Sequence, residues 1–225
     1  MKLSVLTELQ AHRTAKRVCV LATQLETGDQ TLLVDPANGP DWLVNAAAQA
    51  AKTDKSQTIV SEEGTAWFLN VFNPPLRLAI IGAVHIAQPL SRMAQEAGFD
   101  VTIVDPREAF ADPARFPGAT ILSDWPDEAL RQFSPDARSA IVTLTHDPKL
   151  DDPGLHIALT SDAFYIGALG SKKTQASRVE RLKDAKCSDS QIARIHGPVG
   201  LNIGAKSPAE ISISILAEIV ATLRQ

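Results

Sequence analysis

The sequence predicts an α/β fold, in which a doubly wound and mostly parallel sheet follows a smaller N-terminal α/β domain. From Leu76 onward, continuous apolar runs such as RLAIIG alternate with helical segments, which is typical of parallel strands covered on both faces. The residues before Leu76 instead form short segments of alternating polarity. The pair Pro74 and Pro75 interrupts any strand between the two patterns. We therefore expect two domains, 1–75 and 76–225.

The composition is that of a globular protein. Hydrophobic residues make up 44% of the 225 residues and charged residues 21%, which is enough for a proper core. The net charge of −4 argues against a broad nucleic-acid-binding surface, and no apolar run approaches the ~20 residues that span a bilayer. The N-terminus lacks the apolar core of a signal peptide. We expect a cytoplasmic protein with no nucleic-acid and no membrane partner.

The elements of the N-terminal domain follow from periodicity. Leu3, Leu6 and Leu9 share one side of a short helix. The alanine-rich segment DWLVNAAAQAAK predicts a second helix, with Asp41 as its cap. Four segments are typical of strands, and the last two form a hairpin around the turn EEG: RVCVLAT, TLLVD, SQTIVS and TAWFLNVF.

The C-terminal domain alternates strands and helices. RLAIIG is followed by a helix that ends at Gly98, the residue that commonly terminates helices. The last helix begins with a capping box formed by Ser207, Pro208 and Glu210. The further strand candidates are DVTIVD, ATILS, AIVTLT and AFYIGALG, with a helical segment WPDEALRQF between the second and third of these.

The turn after the first strand of this domain partly matches a dinucleotide-binding fingerprint, which indicates a Rossmann-like sheet. Gly82 and Ala87 fit the pattern G-x-G-x-x-A, but Val84 replaces the second glycine. That glycine lets the backbone approach a pyrophosphate, and a valine side chain obstructs the approach. Asp105 ends the next strand, where an acid would bind a ribose. An NAD(P)-dependent oxidoreductase is therefore one alternative.

Two further polar residues lie at the ends of these strands, where ligands bind in open α/β sheets. His85 either donates to a phosphate or simply enters the helix. Arg107 either holds a phosphate or carboxylate in a bidentate manner, or pairs with Asp105 to shape the loop.

His146 and Asp147 follow another strand on the same side of the sheet, so we expect them to line the crevice. Asp151 and Asp152 come soon after, but the four residues have no familiar metal-ligand spacing, and we predict no metal site. Two prolines and a glycine in this segment indicate a tight loop.

The segment YIGALGSKKT predicts a strand, a turn and the start of a basic helix. Gly167 and Gly170 allow unusual backbone angles, and Ser171 or Thr174 would cap the helix. Backbone amides together with Lys172 and Lys173 suit an anion. A solvated basic helix end is the alternative. The later loop between His196 and Ser207 contains three glycines, and it either wraps a ligand or crosses the sheet.

Five ordered blocks closely resemble the xanthine dehydrogenase accessory factor family (XdhC/CoxI-like), from about Pro74 to the C-terminus. They are PPLRLAIIGAVHIAQPL, VDPREAFADPARFPGA, TLTHDPKLDDPGL, FYIGALGSKKT and RIHGPVGLNIGAKSPAEISISILAEI.

The resemblance implies a Rossmann-like C-terminal domain in a non-catalytic accessory protein. Such a protein binds the molybdenum cofactor (molybdopterin), protects it during sulfuration and delivers it to a molybdenum hydroxylase apo-enzyme such as xanthine dehydrogenase. We also expect a cofactor-sulfurating desulfurase among its partners, and a homodimer. The family's motifs fall on Gly82, Ala83, His85, Asp105, Arg107, His146, Asp147, Gly170, Ser171 and Lys172.

The N-terminal region departs from the family pattern. Many members carry a glycine-rich segment with a cysteine there, whereas Cys19 lies in an apolar strand without such a segment. The resemblance therefore does not extend to sulfur transfer by this chain. Cys187, the other cysteine, is expected to be exposed and unpaired. A ligand-free interaction scaffold is the third alternative.

Overall fold

The computed structural model describes residues 2–224. The chain separates into two compact units, one ending at Pro74 and the other beginning at Pro75. Among the described residues, no helix combines the length and the apolar character that crossing a membrane requires. The elements of the first unit are α1 (Leu3–Thr14), β1 (Cys19–Gln24), β2 (Gln30–Val34), α2 (Asp41–Lys52), β3 (Gln57–Val60) and β4 (Ala66–Phe72).

The first unit is an antiparallel sheet with strand order β2-β1-β4-β3. The predicted hairpin is confirmed, because β3 pairs antiparallel with β4. Helix α1 buries Leu9 but leaves Leu3 78% exposed, so the predicted apolar side of this helix is only partly covered. The prediction of Asp41 as a cap was wrong: Pro40 precedes the helix, and Asp41 is its first residue. Its carboxylate instead favours the helix as a negative charge in the first turn.

The second unit contains a six-stranded sheet with strand order β10-β9-β8-β5-β6-β7. All five pairings within it are parallel. The elements of this unit are β5 (Leu76–Ile81), α3 (Ala87–Glu96), β6 (Phe99–Val104), a 3₁₀ turn (Pro113–Arg115), β7 (Thr120–Leu122), α4 (Pro126–Phe133), β8 (Ser139–Thr143), α5 (Pro148–Leu159), β9 (Tyr165–Ala168), α6 (Lys172–Asp184), α7 (Asp189–Ile192), β10 (Ile195–His196) and α8 (Pro208–Arg224).

This strand order confirms the predicted doubly wound α/β fold. The chain starts at the central strand β5, adds β6 and β7 on one side, and then returns to add β8, β9 and β10 on the other. The order reverses between β5 and β8, and such a switch point opens a crevice at the carboxyl ends of the strands.

Strand β5 has side chains in two separate cores, one on each face of the sheet. Leu78 and Ile80 belong to a cluster with α3 and α8, whereas Ala79 and Ile81 belong to a cluster with α4 and α5. Successive strand side chains point to opposite faces. Where both faces of the strand are covered, from Leu78 to Ile81, every position is therefore apolar, which explains the continuous run in the sequence.

Two predicted helix boundaries are confirmed. Gly98 follows α3 with a φ of +88°, a conformation that glycine adopts without steric cost. At the start of α8, the amide of Glu210 donates to Oγ of Ser207 at 3.3 Å, and the amide of Ser207 donates to a carboxylate oxygen of Glu210 at 2.8 Å. The two bonds form the predicted capping box.

The prediction of a tight loop after β8 was wrong, because helix α5 begins there. Pro148 occupies the first turn, where its missing N–H is no loss. Pro153 lies inside the helix. A Cβ atom on Gly154 would lie 2.4 Å from Cδ1 of Ile81, so the glycine lets α5 pack closely on the sheet. In this segment a proline therefore begins the helix, and a glycine allows the helix to pack closely on the sheet.

Candidate functional site

The loops after β5 and β8 touch at the switch point, and Gly82 makes this contact possible. Gly82 has a φ of +105°, and its amide donates to the carbonyl of Val104 at 2.8 Å. A Cβ atom there would lie 2.5 Å from Cγ2 of Thr145. Both the conformation and the space therefore require glycine, which confirms the predicted tight turn. Val84, where the usual fingerprint has glycine, packs against the core cluster shared with α3 and α8.

Asp105 ties the loops after β5 and β6 together. Its carboxylate is fully buried and accepts the amide of Ala83 at 2.8 Å, the amide of Arg107 at 3.0 Å, and two guanidinium hydrogen bonds from Arg107 at 2.7 and 2.8 Å. Burial raises the pKa of this carboxyl, but the hydrogen bonds from Arg107 and Ala83 outweigh it and hold the pKa below its ordinary value. Asp105 thus shapes the loop, and it presents no surface to a ribose.

Three other predicted residues are exposed at the same edge of the sheet. His85 lies between the Gly82 turn and α3. His146 has a φ of +62°, which places it in the left-handed region. Asp147 caps α5, because its side chain accepts the amide of Lys149 at 3.0 Å. Arg107 is partly exposed as well, with 40% of its side chain accessible.

The loop after β9 forms the other half of this edge. Gly170 has a φ of +151°, and Oγ of Ser171 accepts the amide of Thr174 at 3.1 Å, which caps α6. Lys172 and Lys173 begin the helix and are exposed. Neither lysine side chain has a hydrogen-bond or ion-pair partner among residues 2–224. The prediction of a cap at Ser171 is confirmed.

The prediction that Gly167 adopts unusual backbone angles was wrong, because this residue lies inside β9. Its φ is outside the positive range, so it needs no unusual backbone angle. A Cβ atom there would lie 2.5 Å from Cγ2 of Val199 and 2.9 Å from the ring of Tyr165. The glycine is therefore required by close packing against the loop that follows β10.

A cavity of about 420 Å³ opens beside the ends of β9 and β10. Lys172 contributes the one charged side chain among the described residues that line it. The other walls are mostly apolar: Leu169, Pro198, Val199, Gly200, Leu201, Asn202, Ile203, Gly204, Ala205, Ile211 and Ser214. Ligand pockets combine apolar walls with a few placed polar groups. This cavity therefore suits a small molecule with an apolar part and an anionic group.

The wall of the cavity is fixed by residues of α8. A carboxylate oxygen of Glu218 accepts the amide of Gly200 at 2.8 Å, and the hydroxyl of Tyr165 donates to the same oxygen. Oγ of Ser214 donates to the carbonyl of Leu201 at 2.6 Å. Burial and the hydrogen bond to Glu218 both raise the pKa of Tyr165. Sequence reasoning missed Glu218, because its partners lie 18 and 53 positions away.

A buried pair, Asp151 and Arg178, links the two halves of the edge. Asp151 accepts the hydroxyl of Thr145 at 2.6 Å, and Arg178 donates to the carbonyl of Leu169 at 2.8 Å. Both side chains are almost fully buried, and their nearest charged atoms are 3.8 Å apart. Burial raises the pKa of Asp151 and lowers that of Arg178. The sequence analysis missed Arg178 because helix α6 is rich in polar residues, and an arginine in such a helix is expected to face solvent.

Within residues 2–224, no three His, Cys, Asp or Glu side chains come together as metal ligands. Cys187 forms no disulfide, as predicted, but the prediction that it is exposed was wrong. This thiol is half-buried, and its Sγ lies 3.5 Å from Nδ1 of His156. Burial raises the pKa of Cys187, which disfavours the reactive thiolate form.

Comparison with known proteins identifies the family. The family model described as the XdhC Rossmann domain matches residues 78–219. The chain belongs to the XdhC family. The match begins within β5 and ends within α8, so it includes both halves of the edge described above, and the resemblance seen in the sequence is confirmed.

Two curated relatives of this XdhC-family chain are similar over most of its length. The chain is 33% identical over 165 residues to a probable xanthine dehydrogenase subunit of Bacillus subtilis, and this match covers 73% of the chain and 48% of the relative. It is 30% identical over 161 residues to the molybdenum cofactor insertion chaperone PaoD of Escherichia coli. This match covers 70% of the chain and 44% of the relative. The chain thus spans less than half the length of these relatives.

A solved structure is similar over almost the whole chain. It is the crystal structure of a xanthine dehydrogenase from Bacillus halodurans, with a TM-score of 0.70 and 26% identity. The alignment covers 98% of this chain and 64% of that one.

Proposed function

We propose that this XdhC-family protein binds the molybdenum cofactor, molybdopterin, in the cavity beside Lys172 and passes it to a molybdenum hydroxylase apo-enzyme of the xanthine dehydrogenase type. One observation carries the proposal: an apolar cavity with a single cation lies at the carboxyl edge of a Rossmann sheet. The similarity to a molybdenum cofactor insertion chaperone supports the choice of cargo.

The size and the lining of the cavity support this choice of cargo. Its volume of about 420 Å³ lies in the range of small-molecule pockets, about 300–1,000 Å³. Leu201 and Ile203 offer apolar surface to a flat ring. The ammonium of Lys172 and the backbone amides at the start of α6 suit a phosphate, because a helix N-terminus attracts anions.

The protein acts by binding, orienting and releasing its cargo. In this proposal, Asp105 and the pair Asp151 and Arg178 hold the strand-end loops in place. Four groups at the switch point lie outside the cavity lining and would face the acceptor enzyme: His85, Arg107, His146 and Asp147. A desulfurase that sulfurates the cofactor would dock at the same edge before delivery.

The proposal is tested by measuring the pterin that co-purifies with the protein from cells that make the cofactor. Bound pterin is oxidised and quantified by its fluorescence. We expect about one pterin per chain at saturation, and about tenfold weaker binding in Lys172→Ala, because a hydrogen bond to a charged group contributes about 1.5–3 kcal/mol. Lys173→Ala is the matched control, since the neighbouring lysine does not line the cavity. Pterin absent from the wild type, or equal in both variants, would overturn the proposal.

The NAD(P) alternative makes the opposite prediction. A ribose at Asp105 would have to displace the guanidinium of Arg107, whose hydrogen bonds occupy both carboxylate oxygens. We therefore expect no saturable binding of NAD(H) or NADP(H) at micromolar concentrations. Micromolar binding that disappears in Asp105→Asn would favour an oxidoreductase over a carrier of molybdopterin.

A further inference from the structure

A second cavity, of about 380 Å³, lies entirely within the N-terminal unit and has no part in the proposed cofactor site. It is formed where the start of α2 meets the β3–β4 turn and the first residues of β4. The residues that line it are Gln24, Pro40, Trp42, Ser61, Glu62, Glu63, Thr65 and Trp67. Its volume is that of a small-molecule pocket.

Two indole rings form part of this cavity. The rings of Trp42 and Trp67 pack edge to face, with centroids 5.9 Å apart and planes at 68°. Both are partly buried against the core cluster of this unit, which fixes their positions. They come from different elements, α2 and β4. The rings therefore offer a preformed aromatic surface rather than two mobile side chains.

The charged residues that line this cavity are both acidic. Glu62 and Glu63 lie in the turn of the hairpin, and neither has an ion-pair partner in the described part of the chain. None of the lining residues is basic. The turn itself is well defined, because the amide of Ser61 donates to the carbonyl of Thr65, and that of Gly64 to the carbonyl of Ser61, each at 2.9 Å. The carboxylates are thus carried on a fixed turn beside the indoles.

We propose that this cavity binds an organic cation, either an ammonium, free or methylated, or a guanidinium. Trp42 and Trp67 would contact the cation through their π-faces, and Glu62 and Glu63 would neutralise its charge. Indole is the best aromatic partner for a cation. The cation belongs either to a lysine or arginine side chain of a partner protein or to a small free molecule. The inference is independent of the proposed cofactor site.

The full-length protein offers a direct fluorescence test. The chain has three tryptophans, and Trp125 lies outside this unit, so Trp125→Phe leaves Trp42 and Trp67 as the only indole reporters. In that background, tetramethylammonium and short lysine or arginine peptides are titrated at constant ionic strength, with neopentyl alcohol as a neutral probe of similar shape. We expect the tryptophan fluorescence to change saturably with the cations and to stay constant with the alcohol. Tighter binding of the peptides identifies a protein partner, and tighter binding of tetramethylammonium identifies a free cation.

Two variants separate a real site from general attraction. The double variant Glu62→Gln and Glu63→Gln should weaken cation binding about tenfold, and Trp42→Phe about threefold, because the smaller ring attracts a cation less strongly. Glu26→Gln, in the exposed β1–β2 turn, is the matched control and should leave binding unchanged. All three glutamates are exposed, so the fold is retained. Equal binding of the neutral alcohol, or unchanged affinity in the double variant, would overturn the proposal.

Discussion

The two halves of the carboxyl edge of the six-stranded sheet use similar polar residues in opposite ways. At the switch point, Asp105, Arg107 and the amide of Ala83 bind one another. Beside β9 and β10, Lys172 binds no described residue and borders a cavity. A strand-end position therefore does not by itself identify a ligand-binding group. The difference lies in whether a side chain already has partners: the guanidinium of Arg107 is bound by Asp105, whereas the ammonium of Lys172 has no described partner.

The largest change in stability is expected from a substitution in the buried pair that joins the two halves. Arg178→Met removes the cation that faces Asp151 and leaves a buried carboxylate, so it should lower the free energy of unfolding by about 3–5 kcal/mol. Urea unfolding measures this loss.

Arg181→Met is the matched control on the same helix. Arg181 makes a bidentate pair with Asp152, but 37% of its side chain is exposed. Exposed pairs contribute about 0–1 kcal/mol, so this variant should unfold almost like the wild type. Equal losses in both variants would show that burial of the Asp151–Arg178 pair is not what joins the loops.

A substitution at the switch point itself is expected to cause a smaller loss of stability. Asp105→Asn weakens two guanidinium hydrogen bonds and leaves a buried group poorly matched to Arg107, which should cost about 3 kcal/mol. Asp100→Asn, at an exposed position near the start of β6, should change the free energy of unfolding by less than about 0.5 kcal/mol. An Asp105→Asn protein as stable as the wild type would mean that this half of the edge is not held together by the carboxylate.

Lys172→Ala should change binding without changing stability. The side chain is exposed and has no described partner, so the free energy of unfolding should shift by less than about 0.5 kcal/mol. Thermal unfolding measured beside the pterin assay separates the two properties. Destabilisation of this variant by more than about 1 kcal/mol would show that Lys172 stabilises the fold. The two halves of the edge would then not differ in the way described.

The smallest effect is a pH dependence. The pKa of Asp105 is lower in the folded protein than the value of about 3.9 for an unfolded chain. Its ionised form therefore stabilises the fold above about pH 4, and that contribution is lost as the pH falls through the folded pKa. The difference in unfolding free energy between wild type and Asp105→Asn should shrink between pH 6 and pH 2. Asp136, whose pKa is also lowered, is present in both proteins and cancels in the difference. A difference that grows on acidification would contradict this assignment.

The sequence predicted those features that depend on neighbouring residues. The continuous strand β5, the turn at Gly82 and the capping box at Ser207 all follow from local patterns. Helix α5 was missed because Gly154 serves contact with Ile81, more than 70 positions earlier. The two-residue strand β10 was not predicted, since it is too short to show a period.

The site was only partly predictable for the same reason. Lys172 could be found because it starts a helix after a strand, but the cavity that it borders is built by the glycine-containing loop after β10. Glu218 and Arg178 hold that region through partners distant in sequence. A single sequence gives no signal for such pairs.

The central claim is that molybdopterin occupies the cavity beside β9 and β10 and not the switch point. Equilibrium titration of molybdopterin into Ala205→Phe, which fills the cavity, and into His85→Ala, which removes an exposed switch-point side chain, tests it most directly. We predict at least about tenfold weaker binding in Ala205→Phe and wild-type affinity in His85→Ala. Wild-type affinity in Ala205→Phe together with a loss in His85→Ala would contradict the claim.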